Sequence, residues 1–151
     1  MPDAYAALRL ENQLCFPLYA AARAVIRKYT PILGELDLTY TQYIALMVLW
    51  EEGKCSVKEL GRRLYLDSGT LTPLLKSMEQ KGLILRSRSA EDERSVIAEL
   101  TEAGWALRER ALSVPGRAAA CVRMDRSEAA DLYRLLYQLL DELTEIKGEK
   151  A

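Results

Sequence analysis

Two short amphipathic stretches, residues 57–64 and 67–81, are separated by only Tyr65 and Leu66, and a basic run over residues 84–100 follows at once. Two helices joined by so tight a turn, with a hairpin behind them, restrict this part of the chain to a helix-turn-helix carrying a β wing. The spacing inside the second stretch gives each face a task. Leu71, Leu74, Leu75 and Met78 recur at helical intervals and form the stripe that docks it. Asp67, Ser68, Gly69, Thr70 and Thr72 are small or polar at the end that would enter a DNA major groove. Ser68, Gly69, Thr70 and Thr72 are therefore candidate DNA contacts, with Lys76 one turn on. In the first stretch Val57, Leu60 and Leu64 are inward-facing, whereas Lys58, Arg62 and Arg63 face outward and would brace it across the DNA backbone. The same layout also serves modules that bind protein; the basic hairpin is what favours nucleic acid.

The whole-chain charge of −1 says nothing about DNA, but its distribution does. From Lys54 to Arg88 eight lysines or arginines stand against three acids, a local balance of +5. Phosphate contact needs such a patch. With 151 residues, half of them apolar, the chain has one domain's worth of core. It contains no histidine, so a His-dependent triad or metal site is excluded, and neither cofactor nor metal is expected. The three cysteines, Cys15, Cys55 and Cys121, lie far apart, without the C-x-x-C spacing of zinc or thioredoxin sites. Neither a signal peptide nor an apolar run of membrane-spanning length is read in the sequence. The expectation is a cytoplasmic protein with reduced thiols and no membrane partner.

The pattern along the chain predicts a mainly α fold with a small β wing. A helix is expected over residues 8–33, with Leu14, Leu18, Ala22, Val25, Tyr29 and Leu33 on one face, and another over residues 41–52. The winged module takes residues 54–100, with Gly82 ending its second helix and Glu91-Asp92-Glu93 as the wing turn. Cys55 reads as a surface thiol or helix-start residue in the turn before the module. Thr101 is a plausible cap for a helix over residues 102–113 that Pro115-Gly116 interrupts. A last helix over residues 127–147 carries leucines at 132, 135, 136, 139, 140 and 143 and Ile146. Residues 1–151 thus read as a single domain in which the helices over 8–33 and 102–147 form a homodimer interface. Two prolines complicate the helices. Pro73 falls inside the second helix of the module if that helix starts at Ser68, and in its first turn if it starts at Thr70; Pro17 places the regular part of the first helix near residues 13–15.

Four blocks carry a resemblance: Leu10-Glu11-Asn12-Gln13-Leu14-Cys15-Phe16, Leu38-Thr39-Tyr40, residues 64–73 (Leu-Tyr-Leu-Asp-Ser-Gly-Thr-Leu-Thr-Pro), and Glu91-Asp92-Glu93-Arg94-Ser95-Val96. Over about residues 8–143 the chain resembles the MarR family, and within it the organic-hydroperoxide sensors called OhrR. The wing block marks the fold and DNA binding; the block around Cys15, with Tyr29 and Tyr40, points to peroxide sensing. The resemblance implies a dimeric repressor that binds a pseudo-palindromic double-stranded operator and takes an organic hydroperoxide as effector. Pro17 and Cys55 have no counterpart in that pattern.

Thiolate, not thiol, attacks a peroxide. Cys15 sits at a predicted helix start, where the positive end of the helix dipole favours an anion. Tyr19 lies one turn on along the same face, and Phe16, Leu18 and Tyr19 suit a greasy peroxide. Tyr29 is fourteen residues away, about 21 Å along a straight helix, so it cannot touch its own Cys15 and could touch that of a partner chain only if the two first helices run antiparallel. The resemblance implies that crossing, with Tyr29 and Tyr40 of one chain at Cys15 of the other, and implies Cys121 as the residue that resolves oxidised Cys15 as an intersubunit disulfide. In the wing, Arg94 is expected in a minor groove with Asp92 orienting it, and Arg86 and Arg88 on phosphates. Two readings compete: a regulator released by a small aromatic ligand, with Cys15 only lining the groove, and a thiol peroxidase, on which the basic wing would be wasted. A non-enzymatic sensor is favoured.

Overall fold

Asn12 and Gln13 decide how the chain enters its first long helix. Their side-chain amides donate to Ala6 O at 2.7 Å and Ala7 O at 2.5 Å. These bonds hold two single 3₁₀ turns, Ala6–Leu8 and Leu10–Asn12, ahead of α1 (Cys15–Gly34). Pro17 is the third residue of α1, where a missing N–H removes no helical bond. The regular helix thus begins where Pro17 predicts. The computed structural model describes residues 4–145, as one compact unit ending at Ala118 and a second beginning at Ala119.

In the first unit, α2 (Tyr40–Glu52) opens on a capping box. Thr39 Oγ1 accepts from Gln42 N, and Gln42 Oε1 accepts from Thr39 N at 3.1 Å, so two otherwise orphaned donors are satisfied reciprocally. Tyr43, Leu46, Val48, Leu49 and Trp50 are all buried, which makes α2 the helix around which the rest packs. Gly53, at φ 73°, ends it. The sequence predicts a turn over Gly53–Ser56; the chain instead forms a short strand within it, β1 (Lys54–Ser56). Cys55 is accordingly half-buried in a sheet rather than a surface or helix-start residue.

The module itself follows its expected bounds. Ser56 caps α3 (Val57–Leu64), and Asp67 caps α4 (Ser68–Gln80) by accepting from Thr70 N at 2.8 Å. A Cβ on Gly61 would lie 2.7 Å from Leu66 O and 2.8 Å from Leu71 Cδ1, so only glycine lets α3 approach the turn and α4 this closely. Because α4 starts at Ser68, Pro73 lies inside it. The carbonyl of Gly69 loses its helical donor, but Gly69 is exposed and water can solvate it. Strands β2 (Ile84–Arg88) and β3 (Val96–Leu100) form the wing, and the antiparallel sheet runs β1-β3-β2. Leu33, Leu46, Leu49, Leu60, Leu71, Leu75, Met78 and Ile84 close the core.

Thr101 caps α5 (Glu102–Ala111) as its residue type predicts. Pro115-Gly116 does not interrupt this helix: the break falls at Leu112–Ser113, and Pro115 occupies the first turn of a new helix, α6 (Val114–Ala119), where its fixed φ is favourable. Trp50 donates its indole N–H to Gly104 O at 2.9 Å. A Cβ on Gly104 would sit 2.2 Å from Leu83 O, a backbone atom that cannot step aside. Gly104→Ala is therefore expected to cost about 2–3 kcal/mol by overpacking. A differential scanning measurement should show the midpoint falling by roughly 2–4 °C for each kcal/mol lost; an unchanged midpoint would mean the α5 contact is loose.

In the second unit Asp125 and Glu128 form another capping box, each bond 2.9 Å, and α7 (Arg126–Glu145) follows. Ile146 and Lys147, expected to end this helix, lie outside the described residues.

Candidate nucleic-acid interface and thiol site

The residues predicted to read DNA share one exposed end of α4. Ser68, Gly69, Thr70 and Thr72 are all exposed, while Leu71, Leu75 and Met78 on the opposite face are buried. The amphipathic split is as the spacing predicts. Thr72 donates its hydroxyl to Ser68 O at 2.8 Å, which leaves its oxygen as an acceptor. Lys76 is exposed on the same helix, and its ammonium makes no hydrogen bond or ion pair among the described residues.

The wing turn is held by its own polar groups. Ser89 Oγ accepts from Glu91 N, and Ser89 N donates to Ser95 O at 2.8 Å. Asp92 Oδ1 accepts from the backbone N–H of Arg94 at 3.0 Å. Asp92 thus fixes the backbone of Arg94 rather than its guanidinium, which is exposed and unpaired among the described residues. Arg88 folds back to donate to Glu93 O at 2.8 Å. Arg86 does not present a free cation. Its Nε and Nη2 donate to Glu79 Oε2 at 3.1 and 2.7 Å, and Arg86 holds the Glu79 carboxyl below the usual carboxylate range.

Sequence reasoning passes over a second link between α4 and its surroundings. Gln42, buried within α2, donates to Ser77 Oγ at 3.1 Å, and Lys81 reaches Gln42 Oε1 and pairs with Asp37 at 3.2 Å. The capping box accounts for Gln42 locally, but nothing local shows that its amide also bonds to α4.

Cys15 is exposed at the first position of α1. Tyr19 and Arg23 continue its line one and two turns on. Arg23 Nη1 donates to the Tyr19 hydroxyl at 2.7 Å, and its guanidinium lies 5.4 Å from the ring centroid. This phenol is therefore held in place and still has its own proton to donate. The i, i+4 spacing could have flagged Arg23 beforehand. Arg9, Leu10, Glu11 and Phe16 line an open hollow of about 620 Å³ near the start of α1.

Tyr29 and Tyr40 come together, ring centroids 5.0 Å apart, edge to face, and Tyr43 stands 6.2 Å from Tyr29. Tyr43 is absent from the predicted thiol environment, although its place three residues after Tyr40 puts it on the same helix face. Burial pushes the phenols of Tyr40 and Tyr43 above the ordinary tyrosine range, with Tyr29 adding to each, so both remain protonated donors at neutral pH. Burial likewise pushes the Cys55 thiol up, helped by Glu52 and Glu59, which makes it the wrong thiol for peroxide attack. Cys121 is exposed in the second unit, a few residues before α7. No group of three or more metal-ligating side chains occurs among the described residues.

Three comparisons bear on this arrangement. The family described as transcriptional regulator SarA/Rot matches residues 27–110. The organic hydroperoxide resistance transcriptional regulator of Bacillus subtilis (strain 168) is 49% identical over 143 residues, covering 95% of this chain and 97% of that protein. Reduced AbfR bound to DNA superposes with a TM-score of 0.77 at 34% identity, covering 92% of this chain and 95% of that one. AbfR, from Staphylococcus epidermidis, is also solved in a disulfide form, which matches at TM-score 0.65 and 36% identity over 91% of this chain and 93% of that one. No helix among the described residues is long and apolar enough to cross a membrane.

Proposed function

Because this chain belongs to the MarR and SarA/Rot family of transcriptional regulators, in its organic-hydroperoxide (OhrR) branch, we propose that it is a dimeric repressor whose operator is released when a hydroperoxide oxidises Cys15. It binds DNA as a winged-helix regulator: α4 presents its small polar end to base edges, and the wing carries Arg94 to an adjacent minor groove. One observation carries the redox part. The Cys15 thiol is open to solvent at the start of α1, on a helix entry that the Asn12 and Gln13 amides hold rigid.

The chemistry is a two-electron oxidation. The Cys15 thiolate attacks the distal peroxide oxygen, the O–O bond breaks, and the alcohol leaves with a proton, giving a sulfenic acid. The Cys121 thiol of the second subunit then attacks that sulfur, and water leaves as the disulfide forms. The edge-to-face pair of Tyr29 and Tyr40 supports the scheme as hydroxyls that one chain offers to the Cys15 of the other, with the Tyr40 phenol pushed above the ordinary range by burial. A dimer is favoured by apolar side chains that a single chain leaves in water: Leu18, Val25 and Ile26 on α1, and Leu132, Leu135 and Leu143 on α7.

The experiment uses a labelled duplex selected from a random pool by the reduced protein. Addition of an organic hydroperoxide, followed by a thiol reductant, should release and then restore the complex. Binding that ignores hydroperoxide would favour a ligand-gated regulator, and sustained multiple turnover an enzyme.

A further inference from the structure

Glu79 makes three bonds to one residue. Two of them hold the Arg86 guanidinium, and in the third the Glu79 Oε1 atom accepts from the Arg86 backbone N–H at 3.3 Å. That N–H belongs to the open edge of the sheet, because β2 is an outer strand in the order β1-β3-β2. Ser89 N bonds to Ser95 O and Thr101 N to Leu83 O, so alternate residues of β2 face β3 and Arg86 faces away from it. An edge N–H has no strand partner and needs one from elsewhere. Glu79 supplies it from α4, so one carboxylate covers the edge of the wing and grips its side chain together.

We infer that the Glu79–Arg86 pair is a positioning clamp that sets the angle between the recognition helix and the wing, and that Arg86 is not a phosphate contact. Glu79 lies eleven residues from Ser68, about 16 Å along the helix, so the clamp is far from the base-reading end. The wing leaves the sheet just beyond Arg86, so an angular change there is carried outward to Arg94. Both clamp residues are half-buried: the Arg86 and Glu79 side chains are 28% and 36% exposed. The Nε–Nη2 edge of the guanidinium is spent on Glu79, whose carboxylate offsets its charge, so the pair offers a phosphate little net attraction. The inference rests on the reading that α4 and the wing grip one duplex together.

The two possible roles of Arg86 predict opposite signs for its partner. If Arg86 touches phosphate, Glu79→Ala removes a negative charge and frees the cation, so binding tightens. If the pair is a clamp, Glu79→Ala loosens the wing and binding weakens. The test measures affinity against salt for the full-length reduced protein and the selected duplex. Wild type, Glu79→Ala, Arg86→Met and the double variant are compared at a temperature where circular dichroism shows each fully folded. A residue that only stabilised the fold would leave affinity unchanged there. The clamp predicts that each single variant weakens binding roughly tenfold with the wild-type salt slope, the double no further. Tighter binding by Glu79→Ala overturns the inference. So does a slope in Arg86→Met that falls by about two units per dimer, or affinity that neither single variant changes. Should Arg86→Met not fold, the sign for Glu79→Ala decides alone. A wild-type protein that selects no duplex would instead remove the DNA-binding reading itself.

Discussion

A Cys15→Ser protein is expected to hold its operator through hydroperoxide concentrations that strip the wild type completely. Serine is close to cysteine in size, and the position is exposed, so the substitution leaves packing alone. A hydroxyl has no accessible anion at neutral pH and cannot cleave the O–O bond, so the response should vanish rather than shrink. Tyr29→Phe and Tyr40→Phe keep the edge-to-face contact and lose only a hydroxyl, so these variants should bind DNA and oxidise more slowly. Operator occupancy followed by fluorescence anisotropy against peroxide concentration reads all three. Release of the Cys15→Ser protein at wild-type peroxide levels would transfer sensing to another residue. Cys55, with its thiol pushed upward by burial, would be a poor one.

The second large effect belongs to Arg94. Its backbone is fixed by Asp92 while its guanidinium has no partner among the described residues, which is how a side chain is presented to a ligand not yet bound. Arg94→Ala should weaken operator binding by about tenfold or more and flatten the salt dependence by roughly one unit per protomer. Asp92→Ala should give a smaller loss at constant slope, because it removes only a backbone anchor. Unchanged affinity and slope in Arg94→Ala would take the wing tip out of the interface.

Much of the DNA module is legible in the chain because its determinants are local. Ser56 and Asp67 announce the starts of α3 and α4, and the intervals between Leu71, Leu75 and Met78 fix which face is buried. What escapes is non-local or too short to leave a pattern. Strand β1 has three residues and exists because β3, more than forty residues later, supplies its partners, as in the pairing of Cys55 with Ala98. Glu79 and Arg86 face each other across the Gly82 turn, and two surface charges seven apart show no such intent in a sequence. Pro115 marks a real discontinuity, but proline also opens helices, and α6 begins beside it rather than α5 ending there. At the thiol site, Cys15, Tyr19 and Tyr29 can be ordered along α1 from helical rise alone, whereas the contact of Tyr29 with Tyr40 and Tyr43 needs the fold of α2 against α1.

The claim that peroxide acts through a disulfide between Cys15 of one subunit and Cys121 of the other is tested most directly by non-reducing electrophoresis. The peroxide-treated protein is sampled alongside its operator binding. A covalent dimer should appear in step with release of the duplex. It should be missing from Cys15→Ser and Cys121→Ser, present in Cys55→Ser, and reversed by thiol reductant. Wild-type protein that has left its operator yet runs only as a monomer would contradict the disulfide switch, leaving Cys15 oxidised without a partner and Cys121 with no part in the response.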